Sequence, residues 1–141
     1  MSSGLGNYVI NEIIDHIFGT GGVYIPEANL YIALLTSTPD ANDSGASLPG
    51  ECSGGSYARV TCDTWDAAGT AEATENSQTV TFAQATAVWG AVTHFCVMNH
   101  ITTGDMIGWG VLTAPRTIST GDTASFATGD LDVSITGTVT V

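Results

Sequence analysis

Asn7-Tyr8-Val9-Ile10-Asn11-Glu12-Ile13-Ile14-Asp15-His16-Ile17-Phe18 and, past a glycine-rich turn, Leu30-Tyr31-Ile32-Ala33-Leu34-Leu35-Thr36 set two hydrophobic periods side by side. In the first stretch Val9, Ile10, Ile13, Ile14, Ile17 and Phe18 share one face of a 3.6-residue helix, while Asn11, Glu12, Asp15 and His16 fall opposite. Asn7 is placed to cap its start and Gly19 to close its end, with Gly21-Gly22 turning the chain away. From Leu30 onward the period drops to 2 and β-branched residues take over, the mark of half-buried strands.

Working outward, Tyr57–Cys62, Thr79–Phe82, Val92–Met98, Met106–Leu112, Thr123–Phe126 and Leu131–Val141 read as further strands. They are separated by turn signals such as Thr103-Gly104-Asp105 and Thr120-Gly121-Asp122. Ser37–Gly55 reads as a long polar loop and Asp63–Asn76 as a loop excursion biased to Ala, Thr and Glu. Short strands at this spacing predict a mostly β protein: an antiparallel β-sandwich or jelly roll with one N-terminal amphipathic helix on its edge or open face. With 141 residues, no internal repeat and no linker, residues 1–141 are expected to form a single domain.

Charge narrows the function. The chain has no Lys, only Arg59 and Arg116, and fourteen Asp and Glu, for a net charge of -12. Binding nucleic acid needs several cations on one face, so neither nucleic acid nor an anionic membrane is an expected partner. No stretch is apolar enough to span a bilayer, and the first residues lack the positive region of a signal peptide. Cys52, Cys62 and Cys96 make an odd count, which excludes a full disulfide framework. A Cys52–Cys62 bridge is conceivable, but buried free thiols are the preferred reading for a product assembled in cytoplasm.

Two constellations invite a metal reading. His94 and Cys96 share a strand face near His100, but a closed zinc site needs four ligands at turn-compatible spacing, so packing is the better explanation. The loop from Asp40 to Glu51 matches a calcium loop, with Asp40, Asn42 and Ser44 at positions 1, 3 and 5, Gly45 at 6 and Glu51 at 12. Against it, no helix flanks the loop, Ser47 stands where an apolar residue is usual and Pro49 stiffens the exit, so a solvated surface loop is favoured. Calcium is thus the one candidate cofactor, and none is expected.

No nucleophile elbow occurs, and a phosphate-cradling loop is impossible without Lys. The pairs Asp63 with Asp66 and Asp130 with Asp132 sit beside turns, where carboxylates cap more often than they catalyse. No enzymatic activity is expected. Most aromatics fall in strand patterns and read as core, whereas Trp65, in the polar excursion, reads as an exposed interface anchor.

The order of motifs is similar to a known family. The helix is followed by Pro26-Glu27-Ala28-Asn29-Leu30-Tyr31-Ile32-Ala33-Leu34-Leu35-Thr36-Ser37-Thr38-Pro39, then by Gly54-Gly55-Ser56-Tyr57-Ala58-Arg59-Val60. Residues 80–95, Gly108-Trp109-Gly110-Val111-Leu112-Thr113-Ala114-Pro115-Arg116-Thr117-Ile118 and Gly121-Asp122-Thr123 complete the series. Over about residues 5–135 this resembles small tailed-phage virion proteins often labelled phage tail fibre protein, and similar small β proteins serve as capsid decoration, or cement, subunits. The chain departs from that pattern in its cysteines, in Asp63–Asn76 and in Met98–Ile101.

The resemblance implies a virion structural protein, assembled in the host cytoplasm and located on the phage particle. The leading expectation is a homotrimeric decoration subunit packing on the major capsid protein; the alternative is a tail or tail-fibre component that contributes to receptor attachment. A free extracellular enzyme or lectin stands third. Arg59 and Arg116 each lie inside a motif, and are expected as buried or interfacial salt-bridge partners. The helix and the 37–55 loop are the elements expected to reach a neighbour.

Overall fold

A computed structural model describes residues 3–45, 48–69 and 73–134. In chain order the elements are β1 (Gly4–Leu5), α1 (Asn7–Phe18), β2 (Tyr31–Leu35), β3 (Val60–Thr61), β4 (Ala73–Glu75), β5 (Val80–Thr81), β6 (Gly90–Met98), β7 (Met106–Ile118), β8 (Ser125–Phe126) and β9 (Asp132–Ser134). One five-stranded sheet runs β1-β7-β6-β2-β3, every neighbouring pair antiparallel, and β4-β9 and β5-β8 form two short antiparallel ladders. The expected class holds: mostly β, antiparallel, with one N-terminal helix. The second layer is made of the two short ladders and their loops, not of a full sheet.

Alternation along β2 explains the layering, because successive side chains of a strand point to opposite faces. Ile32 and Leu34 join a large cluster with Val80, Phe82, Trp89, Val92, Val97 and Leu131, which packs the sheet against the β5-β8 ladder. Phe95 of β6 meets Phe126 of β8 there, ring centroids 5.7 Å apart. Ala33 and Leu35 turn to the other face, into a smaller cluster with Cys96, Met98 and Met106 that Leu48 of the long loop helps to cover.

Strict alternation would put Val92 on the wrong face, away from Phe95 and Val97. The ladder register shifts between Val92 and His94: Val92 pairs with Arg116 but His94 with Val111, so residues 112–115 bulge outward. The bulge returns Val92 to the large core and accommodates Pro115, which has no N–H to give a ladder. It also lets β7 run to Ile118, well beyond the expected Leu112.

Other expectations change for local reasons. The helix begins at Asn7, but Asn7 does not cap it; Gly6 occupies the cap position with extended backbone and no side-chain cap. Gly6 donates its N–H to the Ile107 carbonyl at 2.9 Å, and a Cβ there would run into the Met106 carbonyl, so only glycine lets the chain pass this close to β7. Gly19 closes the helix as expected, left-handed at φ 66°, its N–H bonded to the Asp15 carbonyl. The predicted strand Tyr57–Cys62 shrinks to Val60–Thr61, and the excursion after Asp63 contains β4. Of the predicted strand 131–141, Asp132–Ser134 is seen and 135–141 lies outside the described residues.

Candidate assembly interface

Arg59 is the best-connected side chain of the described surface loops. Its side chain is 2% exposed and grips Glu51 with both arms of the fork: Nε donates to Oε1 at 2.8 Å and NH2 to Oε2 at 2.7 Å. NH1 donates to the carbonyls of His100 and Thr103, both at 2.9 Å. Tyr57 donates its hydroxyl to Glu51 at 3.1 Å and accepts the Leu34 N–H at 3.1 Å. The guanidinium thus ties the segment around Glu51 to the β6–β7 turn, and the Tyr57 hydroxyl links Glu51 to strand β2. Burial works against the charge, but the hydrogen bonds and the charge of Glu51 outweigh it, and the Arg59 pKa stands above its ordinary value. Arg59 is the buried salt-bridge partner expected of it.

Glu51 is thereby committed elsewhere than in a calcium loop. Asp40 uses Oδ1 to accept the backbone and side-chain amides of Asn42, at 3.0 and 2.8 Å, a local turn that also holds its pKa below the usual carboxylate value. Asn42 in turn accepts from the Asn7 amide, and Ser44 forms an isolated bridge with Asp105. Of the four residues singled out, Asp40 and Asn42 bond each other, while Ser44 bridges Asp105 and Glu51 is engaged by Arg59. Among the described residues no group of three His, Cys, Asp or Glu is placed to hold a metal.

Of the two alternatives expected for Arg116, buried or interfacial, its exposure removes the first, whereas Trp65 corrects its expectation. Arg116 is exposed, not buried, and makes no ion pair among the described residues; it lines a shallow groove of about 630 Å³ with Asp122 and Asp130. Trp65, expected as an exposed anchor, is half-buried against the large core and donates its indole N–H to the Cys62 carbonyl at 2.8 Å. Its ring lines a second groove of about 510 Å³ between β7 and the β4-β9 ladder.

The residues considered for chemistry serve structure. His94 is buried with both ring nitrogens beside threonines, Thr38 at 3.3 Å and Thr93 at 2.8 Å, and burial lowers its pKa. The His100 ring accepts the N–H groups of Thr102 and Thr103 and so closes its own turn. Asp63 accepts the Leu30 N–H and Asp130 the Ala127 N–H. All three cysteines are free and buried; burial raises Cys52 and Cys62 to about 11 and Cys96 to about 12, which leaves the thiols protonated and unreactive at neutral pH.

Two features escaped the sequence reading. Asn76 is fully buried: Nδ2 donates to the Gln78 and Ala127 carbonyls and Oδ1 accepts the Leu131 N–H, so one amide replaces several missing ladder bonds between β4 and the loop before β9. A lone Asn at the end of a polar stretch gives no sign of this. The second is the helix. Val9 is its one buried residue, whereas Ile14, Ile17 and Phe18 on the same stripe are 48%, 66% and 74% exposed. The helix was expected to reach a neighbour, but which part of its stripe is covered and which exposed was not legible.

The fold and these groups define a class: a small antiparallel β protein whose charged and polar side chains lock its own loops, with apolar surface left over at the end of its one helix. A family model described as podophage GP4 fiber I protein gp80 matches residues 4–134, and the chain belongs to that family. The resemblance to small tailed-phage fibre proteins is borne out at the level of family. A search of curated proteins gave no match.

Proposed function

We propose that this chain is a non-catalytic structural subunit of a tailed-phage particle and that it belongs to the tail fibre, not to the capsid surface. The family match over residues 4–134 carries the reading, since the matched family is described as a fibre protein. That description favours the fibre alternative over the decoration role expected first.

The geometry supports a structural part. The Arg59–Glu51 pair holds the segments around Glu51 and Arg59 to the β6–β7 turn, which favours one shape of these segments for a partner. In this reading the subunit is made and assembled in the host cytoplasm, associates with copies of itself, as a trimer, and contacts a neighbouring tail protein. Arg116, exposed and unpaired among the described residues, is the cation available to that neighbour.

Quantitative mass spectrometry of purified particles tests it. A few copies per virion, located at the tail by labelling, support the fibre reading. Hundreds of copies would return the chain to capsid decoration on the major capsid protein, and absence from the particle would overturn both.

A further inference from the structure

The register of β6 and β7 sets a cation on the core-facing side of the sheet. Residues directly opposite in an antiparallel pair carry their side chains on the same face. Val92 is paired with Arg116 and lies in the large core, as does Ile118 two residues on, so the guanidinium rises on the face that the second layer covers. There Arg116 stands exposed in the groove of about 630 Å³ between β7 and the segment around β8.

Two carboxylates line the same groove from fixed turns. Ser119-Thr120-Gly121-Asp122 and Ala127-Thr128-Gly129-Asp130 flank β8, and each closes on itself. The Asp N–H bonds the first residue's carbonyl at 3.0 and 3.1 Å, and Asp Oδ2 accepts the first residue's N–H at 2.8 and 2.7 Å. Gly121 and Gly129, at φ 96° and 82°, supply the left-handed step of each turn. Oδ1 of both aspartates and the hydroxyls of Thr117, Thr123 and Ser125 have no partner among the described residues, and Arg116 pairs with neither carboxylate. Half-buried Phe95 and Phe126, ring centroids 5.7 Å apart, give the groove an apolar wall.

Charge and shape select the ligand. An anion would meet two aspartates in a chain of net charge -12, and a cation would meet Arg116. A neutral polyhydroxylated ligand uses every group: its hydroxyls donate to the carboxylates and accept from the guanidinium, while its C–H face rests on the phenylalanines. A strand-adding peptide fits less well, because residues 112–115 bulge and Pro115 has no N–H, which breaks the regular edge of β7 beside the groove. Exposure alone makes Arg116 available to a neighbouring protein; its surroundings favour a saccharide.

We propose that this groove is a binding site for a neutral saccharide, held by Arg116, Asp122 and Asp130 against Phe95 and Phe126. Its volume falls within the roughly 300–1,000 Å³ of small-ligand sites. The site rests on the reading of the chain as a tail-fibre subunit only for its use on the particle, and gives that subunit a ligand class.

The test is a printed array of neutral, acidic and amino oligosaccharides with extended peptides alongside, probed with the full-length chain, then calorimetric titration with the neutral oligosaccharide captured best. Neutral glycans are expected to be captured, with an affinity that changes less than about threefold between about 0.05 and about 0.5 M NaCl, since the ligand carries no charge to screen. Arg116→Gln and Asp122→Asn should each weaken binding at least about tenfold, because each removes a charge-assisted bond, while the buried cysteines stay as protected from a thiol reagent as in wild type. Should a variant lose that protection, the amide shifts of residues 122–126 in labelled wild-type chain locate the site instead. Failure to capture any neutral glycan, a preference for acidic or amino glycans or for peptides, folded variants that bind like wild type, or shifts confined to other residues would overturn the proposal. The outcome is separable from the functional reading: a chain present at the tail that binds no neutral glycan fails only here, and a chain that binds one through Arg116 but is absent from virions fails only there.

Discussion

Removing Glu51 tests the centre of the structure. In Glu51→Ala the Arg59 guanidinium, with a side chain 2% exposed, loses both charge-assisted bonds and keeps only the carbonyls of His100 and Thr103. Stripping one partner from a buried pair leaves an uncompensated charge, which costs about 3–5 kcal/mol. Arg59→Met should cost less, about 2–3 kcal/mol, because Glu51 is 20% exposed, reaches water and keeps the Tyr57 hydroxyl. Since each single change also pays for the orphaned partner, the double variant Glu51→Ala/Arg59→Met should be less destabilised than the sum by about 2 kcal/mol. Urea titration followed by Trp fluorescence measures this. With a slope near 2 kcal/mol per molar, Glu51→Ala should lower the midpoint by roughly 2 M. A loss below about 1 kcal/mol, or additive single variants, would refute the claim that this pair is a buried, mutually dependent clamp.

The remaining predictions are read by similar means. Asn76→Asp keeps shape but turns the Nδ2 donor into an oxygen facing the Gln78 and Ala127 carbonyls, so it should cost about 3 kcal/mol or more, with Asn76→Ala milder; equal and small losses would contradict the assigned bonds. His94 has a folded-state pKa below its unfolded value near 6.5, so its contribution is intact above about pH 7 and is lost as pH falls through the folded value, with a slope of at most about 1.4 kcal/mol per pH unit. His94→Gln should flatten the stability profile between about pH 7 and 5.5, and an identical slope in both proteins would disprove the attribution. Because Glu51 is held by Arg59, calcium or a chelator should move the melting temperature by less than about 1 °C, and a calcium-dependent rise abolished in Glu51→Ala would restore the calcium loop.

What the sequence by itself determined was local. The apolar stripe of residues 7–18, the αL stop at Gly19 and the period-2 run through Ile32 and Leu34 follow from backbone geometry within a few residues, and each is found where the pattern puts it. Arg59 was recognisable as a salt-bridge residue because a chain without Lys keeps it inside a motif, but its partner was not, since Glu51 also fitted a calcium pattern. Tertiary structure decided that choice by desolvating the guanidinium next to one carboxylate. It likewise made Gly6, not Asn7, the helix cap, because β7 passes too close for a side chain, and it returned Val92 to the core through a bulge that alternation alone cannot foresee. The helix shows the division most clearly: periodicity fixed which of its residues are apolar, but only the position of α1 along β7 determined that Val9 is covered and that Ile17 and Phe18 stay exposed.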